Sequence, residues 1–157
     1  MRLPTLPLMR RAILVLVAVL IASQAVPYGR DHHNPPVVLE PSWDAPRTRA
    51  LAKDACFDCH SNETTWPWYA NFAPVSWLVQ YDVMEGRRHL NFSDWRRGER
   101  KGEKVKELRE VLSEGEMPPL PFLLLHPEAR LSDAQKQQLL DGLTATFGHS
   151  GGQVGQN

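Results

Sequence analysis

The only two cysteines of the chain stand three positions apart and are followed at once by a histidine. The stretch ACFDCHSNE, residues 55–63, contains Cys56, Cys59 and His60. Three kinds of site use a cysteine pair with this spacing: a structural zinc site, a redox-active pair, and an attachment site for an iron porphyrin. The rest of the chain distinguishes among these three.

The first two kinds of site need partners that the sequence does not supply. Structural zinc takes four nitrogen or sulfur ligands, usually from a second cysteine pair or from spaced histidines. A thioredoxin-type redox pair lies between a strand and a helix, and the sequence has no convincing strand pattern. There is no second cysteine pair, and none of the remaining histidines has zinc-ligand spacing: His32, His33, His89, His126 and His149. The residues therefore favour haem attachment over zinc or a simple disulfide.

The C-x-x-C-H spacing suits covalent haem attachment for a physical reason. Cysteines three positions apart lie on one side of a helical turn, so both thiols can form thioethers with the two vinyl groups of one porphyrin edge. The adjoining imidazole can then bind the iron. We therefore predict one covalent haem c, attached through Cys56 and Cys59, with His60 as an iron ligand.

Several residues have the right chemistry for the second axial position of the iron. Met117 is favoured by its context, GEMPPLP, in which three prolines restrict the backbone around a soft thioether ligand. Met84 falls at a core position of a predicted helix and is expected to pack there. The alternatives are histidines elsewhere in the chain: His89, His126, His32 and His33.

The N-terminus, residues 1–26, predicts a targeting segment. A basic stretch, MRLPTLPLMRR, precedes a wholly apolar run over residues 12–22. Secretory signals have apolar regions of about 7–15 residues, whereas spanning helices need about 20, so the length lies between the two. We prefer an uncleaved hydrophobic anchor helix over a cleaved signal, and in either case the remainder of the chain is exported.

The remaining sequence predicts an all-α domain with long loops. Residues 27–44 form a proline-rich extended arm, residues 45–148 the helical domain, and residues 149–157 a disordered tail. Within the domain we predict a short helix from Ala45 to Cys59 and a second from Pro74 to Gly86 that buries Trp77, Leu78 and Tyr81.

Two further helices complete the predicted domain. A charged amphipathic helix with Val105, Leu108 and Leu112 on one face ends at Gly115. The last helix begins with a capping box formed by Ser132 and Gln135. Its predicted buried stripe consists of four apolar residues: Leu139, Leu140, Leu143 and Phe147.

Charge and aromatic content refine the functional prediction. The 18 basic and 18 acidic side chains balance, so no nucleic-acid partner is indicated. Four of the five tryptophans lie shortly after the cysteine pair, which suggests a core built around something large. Four aromatic residues are predicted to pack on the porphyrin or to donate to its propionates: Trp66, Trp68, Tyr69 and Trp77.

The chain resembles the c-type cytochromes, and more closely the bacterial haem-binding domain family of exported, usually membrane-anchored proteins. The resemblance runs from about Arg30 to Leu143 and is carried by HHNPPV, by residues 55–95 and by GEMPPLPFLLLHPEARLS. It implies a small cytochrome c-like helical domain with haem c on Cys56 and Cys59 and His60 as the proximal ligand. It further implies that Met117 is the distal ligand and that the last helix packs across the helix carrying the cysteines.

These observations predict a membrane-associated cytochrome on the periplasmic side of the bacterial inner membrane. We expect it to carry single electrons to or from redox proteins at or near that membrane, which would make it a carrier rather than an enzyme. The alternative is a haem-based sensor or peroxidase-like protein whose distal ligand is displaceable, with His89 or His126 in the distal pocket. A colourless adaptor with one disulfide is the third interpretation.

Overall fold

The computed structural model describes residues 6–95 and 101–149 of the chain. Within these residues the fold is all-helical, and the only strand-like feature is an isolated parallel bridge between Leu39 and Asp94. The all-α prediction is therefore confirmed. Seven α-helices are present in the described residues: α1 (Leu6–Ser23), α2 (Pro46–Ala55), α3 (Phe57–His60), α4 (Val75–His89), α5 (Lys101–Ser113), α6 (Leu120–Leu125) and α7 (Asp133–His149). Two short 3-10 turns lie at Trp68–Asn71 and Pro127–Ala129.

The chain divides into two compact units. Unit 1 consists of Met1–His33 and Trp66–Met84, and unit 2 consists of Asn34–Thr65 and Glu85–Asn157. Each unit is therefore built from two separate stretches of the sequence. The predicted disordered tail falls on residues of which only His149, the end of α7, lies inside the described part of the chain.

Unit 1 begins with the predicted hydrophobic helix. The apolar side chains of α1 from Leu8 to Ile21 are exposed along its length. However, in the described part of the chain no helix is both long enough and apolar enough to cross a membrane, so the structure does not support the predicted transmembrane helix. Arg10 and Arg11 lie within α1 and confine its uninterrupted apolar run to residues 12–22.

The end of α1 is fastened to the segment before α4 within unit 1. The Gln24 side chain donates from Nε2 to the Ala73 carbonyl (2.7 Å) and accepts from the Ala73 amide (3.1 Å). Gly29 lies against the first turn of α4, where the Ser76 hydroxyl donates to the Tyr28 carbonyl (3.1 Å). The first residues of the predicted arm are therefore held by defined contacts.

The buried face of α4 differs from the predicted one. Leu78 and Tyr81 are exposed by 55% and 59%, whereas Ser76 and Val83 are buried. The prediction that α4 buries Leu78 and Tyr81 is therefore wrong. The reason is that the small side chain at position 76 admits the backbone of Gly29, so the helix turns its small residues rather than its large ones inward.

Unit 2 has a hydrophobic core built from α2, α3, α7 and the segment after α4. Its buried centre contains Leu51, Phe57, Phe92, Leu139 and Leu143, with Val105 and Leu108 of α5 packed against it. Each such fully buried side chain contributes about 1.5–3 kcal/mol of transfer free energy. Helix α7 packs on α2, as the resemblance predicts for the last helix, and it also packs on α5.

The start of the last helix confirms the predicted capping box. The Gln135 amide donates to the Ser132 hydroxyl (3.3 Å), and the Gln135 side-chain oxygen accepts from the Ser132 amide (2.8 Å). These reciprocal bonds satisfy two amides that the first turn of a helix leaves without partners. The predicted stripe is also buried, from Leu139 to Phe147.

Candidate haem site

Cys56 is the joint between two helices rather than part of one. Its amide donates to the Ala52 carbonyl (2.8 Å) at the end of α2. Its own carbonyl accepts from the amides of Cys59 (3.2 Å) and His60 (2.8 Å), which form the single turn α3. The predicted helix from Ala45 to Cys59 is therefore two helices, because Cys56 has φ −129° and leaves the helical conformation. This break gives the C-x-x-C-H stretch a turn of its own.

His60 is held by main-chain contacts on two sides. Its Nδ1 atom lies 3.1 Å from the Leu90 carbonyl oxygen, and its own carbonyl accepts from the Phe92 amide (2.8 Å). A carbonyl can only accept, so in this contact Nδ1 of His60 carries a proton and donates to the Leu90 oxygen. A backbone carbonyl on the second ring nitrogen is the usual way in which a protein orients a metal-binding histidine. The geometry therefore suits His60 as an iron ligand.

The two cysteines are thiols and do not form a disulfide. Burial, with a smaller contribution from the neighbouring Cys59, raises the pKa of the Cys56 thiol to about 12. Redox-active C-x-x-C pairs instead depend on a lowered thiol pKa, because the thiolate is the nucleophile. The environment of Cys56 therefore does not favour a disulfide-exchange catalyst.

Buried hydroxyl groups fix the loop that follows His60. The Ser61 hydroxyl donates to the Phe57 carbonyl (2.8 Å) and accepts from the Glu63 amide (2.9 Å). The backbone amide of Asn62 donates to the hydroxyl of Ser93 (2.9 Å), and both Ser61 and Ser93 are fully buried. These serines carry no signal in the sequence, because a serine beside a turn residue is an ordinary surface pattern.

Gly86 of α4 lies directly against the backbone of Cys59. A β-carbon at position 86 would overlap the Cys59 carbonyl group, 2.8 Å from its carbon atom. Only glycine allows this approach of α4 to the cysteine turn. The signal in the sequence was a glycine inside a helical pattern, which often marks a close packing contact.

Arg87, the next residue of α4, binds the loop after His60. Its Nε donates to the Ser61 carbonyl (2.8 Å), and one terminal nitrogen contacts the Thr64 hydroxyl (2.9 Å) and the Asn34 side-chain oxygen (2.8 Å). Arg87 is not predictable as a site residue, because it stands in a run of basic residues that is typical of a solvated helix end.

Met117 lies in the predicted loop between the charged helix and the last helices. Gly115, with φ +73°, ends α5, and the Glu116 amide donates back to the Val111 carbonyl (2.9 Å). The Met117 amide also contacts that carbonyl (3.2 Å), and the Met117 side chain is 42% exposed. These bonds fix the start of the loop, and the role of Met117 as distal ligand stays a prediction.

The four aromatic residues predicted to contact the porphyrin all belong to unit 1. Trp66 stacks on His32, with ring centroids 4.9 Å apart, and Trp68 is 76% exposed beside Tyr69. The indole N–H of Trp77 is buried and has no hydrogen-bond partner among the described residues. Buried donors are normally paired, so Trp77 offers a donor that a bound polar group would satisfy. The four assignments stay predictions.

The histidines considered as alternative iron ligands have local partners. His89 Nε2 lies 2.8 Å from the Arg88 guanidinium, and His32 Nε2 lies 3.2 Å from the Ala70 carbonyl. His126 pairs through Nδ1 with Glu128 (2.9 Å) and stacks on Phe122. Over residues 6–95 and 101–149, no group of three or more His, Cys, Asp or Glu residues is placed to hold a metal ion.

Comparison with known protein families gives a match over most of the chain. The model of a family described as Haem-binding domain matches residues 18–145. The matched stretch contains the cysteine pair, His60 and Met117. Searches of curated proteins and of solved structures each found no significant match.

Proposed function

The chain belongs to the haem-binding domain family, and on this basis we propose that it is a c-type cytochrome that transfers single electrons. The observation that carries the proposal is the contact between His60 Nδ1 and the Leu90 carbonyl (3.1 Å), within the C-x-x-C-H motif. This contact orients the imidazole of His60, and the two cysteine thiols belong to the same short turn. The bound haem would supply a one-electron ferric/ferrous couple.

The two cysteines and the histidine of the motif would each make a different bond to the haem. Cys56 and Cys59 would form the two thioether bonds, and His60 would be the proximal ligand. The backbone hydrogen bonds around α3 hold these three residues in one short turn. The backbone of this turn would therefore lose little conformational entropy when the haem is attached. Trp66, Trp68, Tyr69 and Trp77 remain candidates to pack on the porphyrin or to donate to its propionates.

Met117 is the proposed distal ligand. The loop that carries it is pinned at its start by the bonds to Val111 and continues into three prolines, so a weak thioether ligand would lose little freedom on binding. Histidine and methionine together would fill both axial positions and would favour electron transfer over binding of a small molecule. A methionine ligand also raises the potential of a haem relative to a histidine ligand.

We further propose that the protein works on the periplasmic side of a bacterial inner membrane. The support is the N-terminal sequence, in which basic residues precede an apolar run, together with the exposed apolar side chains of α1. Either an N-terminal anchor or export followed by signal cleavage would place the domain there. Tethering would raise the effective concentration of membrane redox partners without new contacts.

Optical spectroscopy tests the haem proposal. The full chain is expressed with a c-type haem maturation system, and haem retained on the polypeptide after denaturation is measured. Wild-type protein should keep its haem under denaturing conditions, and Cys56→Ser and Cys59→Ser should each lose at least one thioether. A wild-type chain without covalent haem would contradict the proposal.

The distal ligand is tested by a methionine-to-iron charge-transfer band in the ferric spectrum. Met117→Ala should abolish the band, and the matched control Met84→Ala should keep it. Met84 was predicted to pack at a core position, but it is 52% exposed and so resembles Met117 in accessibility. A band that survives Met117→Ala would refute the assignment.

The second candidate function, a sensor or peroxidase-like protein, is favoured by one observation. Met117 is 42% exposed, so a ligand at this position would be accessible to displacement. Prompt carbon monoxide binding by the reduced wild-type protein would support this function over the electron carrier.

Protease accessibility in spheroplasts, with and without residues 1–26, tests the proposed location.

A further inference from the structure

Arg87 connects the two stretches of unit 2 beside the candidate haem site: it lies in the second stretch and binds residues of the first, Asn34–Thr65. Its guanidinium binds the Ser61 carbonyl directly after His60 (2.8 Å) and the side-chain oxygen of Asn34 (2.8 Å). The same terminal nitrogen contacts the Thr64 hydroxyl (2.9 Å). The rigid, forked arrangement of guanidinium donors allows one side chain to fix three acceptors at once.

Thr64 extends this contact into the cysteine turn. The Thr64 hydroxyl donates to the carbonyl of Asp58 (2.8 Å), one of the two residues between the cysteines. Since the hydroxyl proton is used in that bond, the oxygen accepts from Arg87, and the directions of both bonds agree. Arg87 therefore acts on the motif at two points, through Ser61 after His60 and through Asp58 between the cysteines.

Arg87 also brings a permanent positive charge to the site. The preceding residue, Gly86, lies against the Cys59 backbone, so the α4 backbone at positions 86 and 87 passes beside this cysteine. Burial lowers the pKa of Arg87, and the neighbouring Cys59 thiol acts in the opposite direction. An arginine remains protonated in proteins, and a partly buried charge is screened by salt much less than a surface charge.

We propose that Arg87 is a positioning residue that fixes the backbone around His60 and that its charge raises the reduction potential of the haem. The inference rests on the proposed function, because it needs a haem on Cys56 and Cys59. Ferric haem carries one more positive charge than ferrous haem, so a nearby cation disfavours the ferric form. The guanidinium contacts account for the positioning, and the guanidinium charge accounts for the potential.

The test compares four haem-loaded full-length proteins: wild type, Arg87→Gln, Arg87→Lys and Arg88→Gln. Arg88 is the matched control, because it is the next residue of α4 but is exposed and pairs with Glu85 (2.7 Å). Midpoint potentials are measured by optical titration. We expect Arg87→Gln to shift the ferric/ferrous equilibrium toward the ferric form by roughly tenfold, about 59 mV for one electron. Arg87→Lys and Arg88→Gln should stay near wild type, and equal potentials in all four proteins overturn the charge effect.

A separate measurement tests positioning. Lysine keeps the charge but loses the fork, so the ferric electron paramagnetic resonance spectrum, which reports axial-ligand geometry, should broaden in Arg87→Lys and stay unchanged in Arg88→Gln. A sharp, wild-type spectrum in both Arg87 variants overturns the positioning role.

If Arg87→Gln accumulates no haem-containing protein, the variant Asn34→Asp provides a second test of the charge effect. This isosteric change places a carboxylate against the Arg87 guanidinium, where Asn34 now accepts at 2.8 Å, and should lower the potential with the contact intact. An unchanged potential in Asn34→Asp overturns the inference. If the wild-type chain itself carries no covalent haem, the proposed function has failed instead.

Discussion

The backbone carbonyl of Cys59 lies so close to Gly86 that no side chain fits between them. A β-carbon at position 86 would stand 2.8 Å from the Cys59 carbonyl carbon and 3.0 Å from its β-carbon. Because the obstacle is backbone rather than a flexible side-chain end, α4 and the cysteine turn must separate to admit a methyl group. The approach of α4 to the motif is therefore a property of one glycine.

Gly86→Ala should destabilise unit 2 and reduce covalent haem attachment. Overpacking against backbone costs about 1–3 kcal/mol, which is a large share of the stability of a small domain. The unfolding free energy from denaturant titration and the yield of haem-stained protein are the measurements. Gly148→Ala is the control: Gly148 has open space around it, and alanine in a helix should change stability by no more than about 1 kcal/mol. Equal behaviour of the two variants would show that the close contact is unimportant.

Ser93→Ala should weaken the loop that follows His60. The buried Ser93 hydroxyl accepts from the Asn62 amide (2.9 Å), and alanine would leave that amide buried without its acceptor. An unsatisfied buried donor costs about 1–3 kcal/mol. The free energy of unfolding measures the loss, and the exposed Ser113→Ala serves as control, since its hydroxyl bonds only within α5. A loss no greater than that of Ser113→Ala would be inconsistent with this role.

The ion pair between Glu40 and Arg49 should make the stability of unit 2 depend on pH. Arg49 binds both carboxylate oxygens of Glu40 (2.7 and 2.6 Å), and these bonds lower the pKa of Glu40 below its ordinary value of 4.5, although burial acts in the opposite direction. A lowered carboxyl pKa contributes stability above the unfolded-state pKa, and this contribution is lost as the pH falls through the folded-state pKa.

Glu40→Gln should therefore lower the free energy of unfolding by about 1 kcal/mol near neutral pH. The expected loss is this small because both partners are partly exposed to solvent. The difference from wild type should shrink as the pH falls below about 4.5. Denaturant titrations at a series of pH values measure it, with the surface substitution Glu114→Gln as control. A difference that persists unchanged at low pH would show that packing, rather than charge, is responsible.

The sequence predicted the buried stripe and the capping box of α7 but not the contacts around the C-x-x-C-H motif. The apolar period of α7 and the Ser132–Gln135 capping box are local patterns, and both are confirmed because neighbouring residues alone determine them. Ser93 and Arg87 contact the loop after His60 from 31 and 26 positions away, and nothing local distinguishes these two residues from surface residues. Gly86 carries a local signal, a glycine inside a helical pattern, but that signal does not identify the Cys59 backbone as its neighbour. The exposed Leu78 shows the same limit, since the approach of Gly29 decides which face of α4 is buried.

Gly115→Ala should destabilise the end of α5 and disturb the loop that carries Met117. Gly115 has φ +73°, and no atom lies within 4 Å of a β-carbon built there, so the cost of alanine is purely conformational. A left-handed conformation costs a residue with a side chain about 1–2 kcal/mol. Asparagine tolerates this conformation better, so Gly115→Asn should lose less stability than Gly115→Ala. If Met117 binds the iron, the charge-transfer band should weaken in the same order, and equal unfolding free energies for the two variants would contradict the conformational explanation.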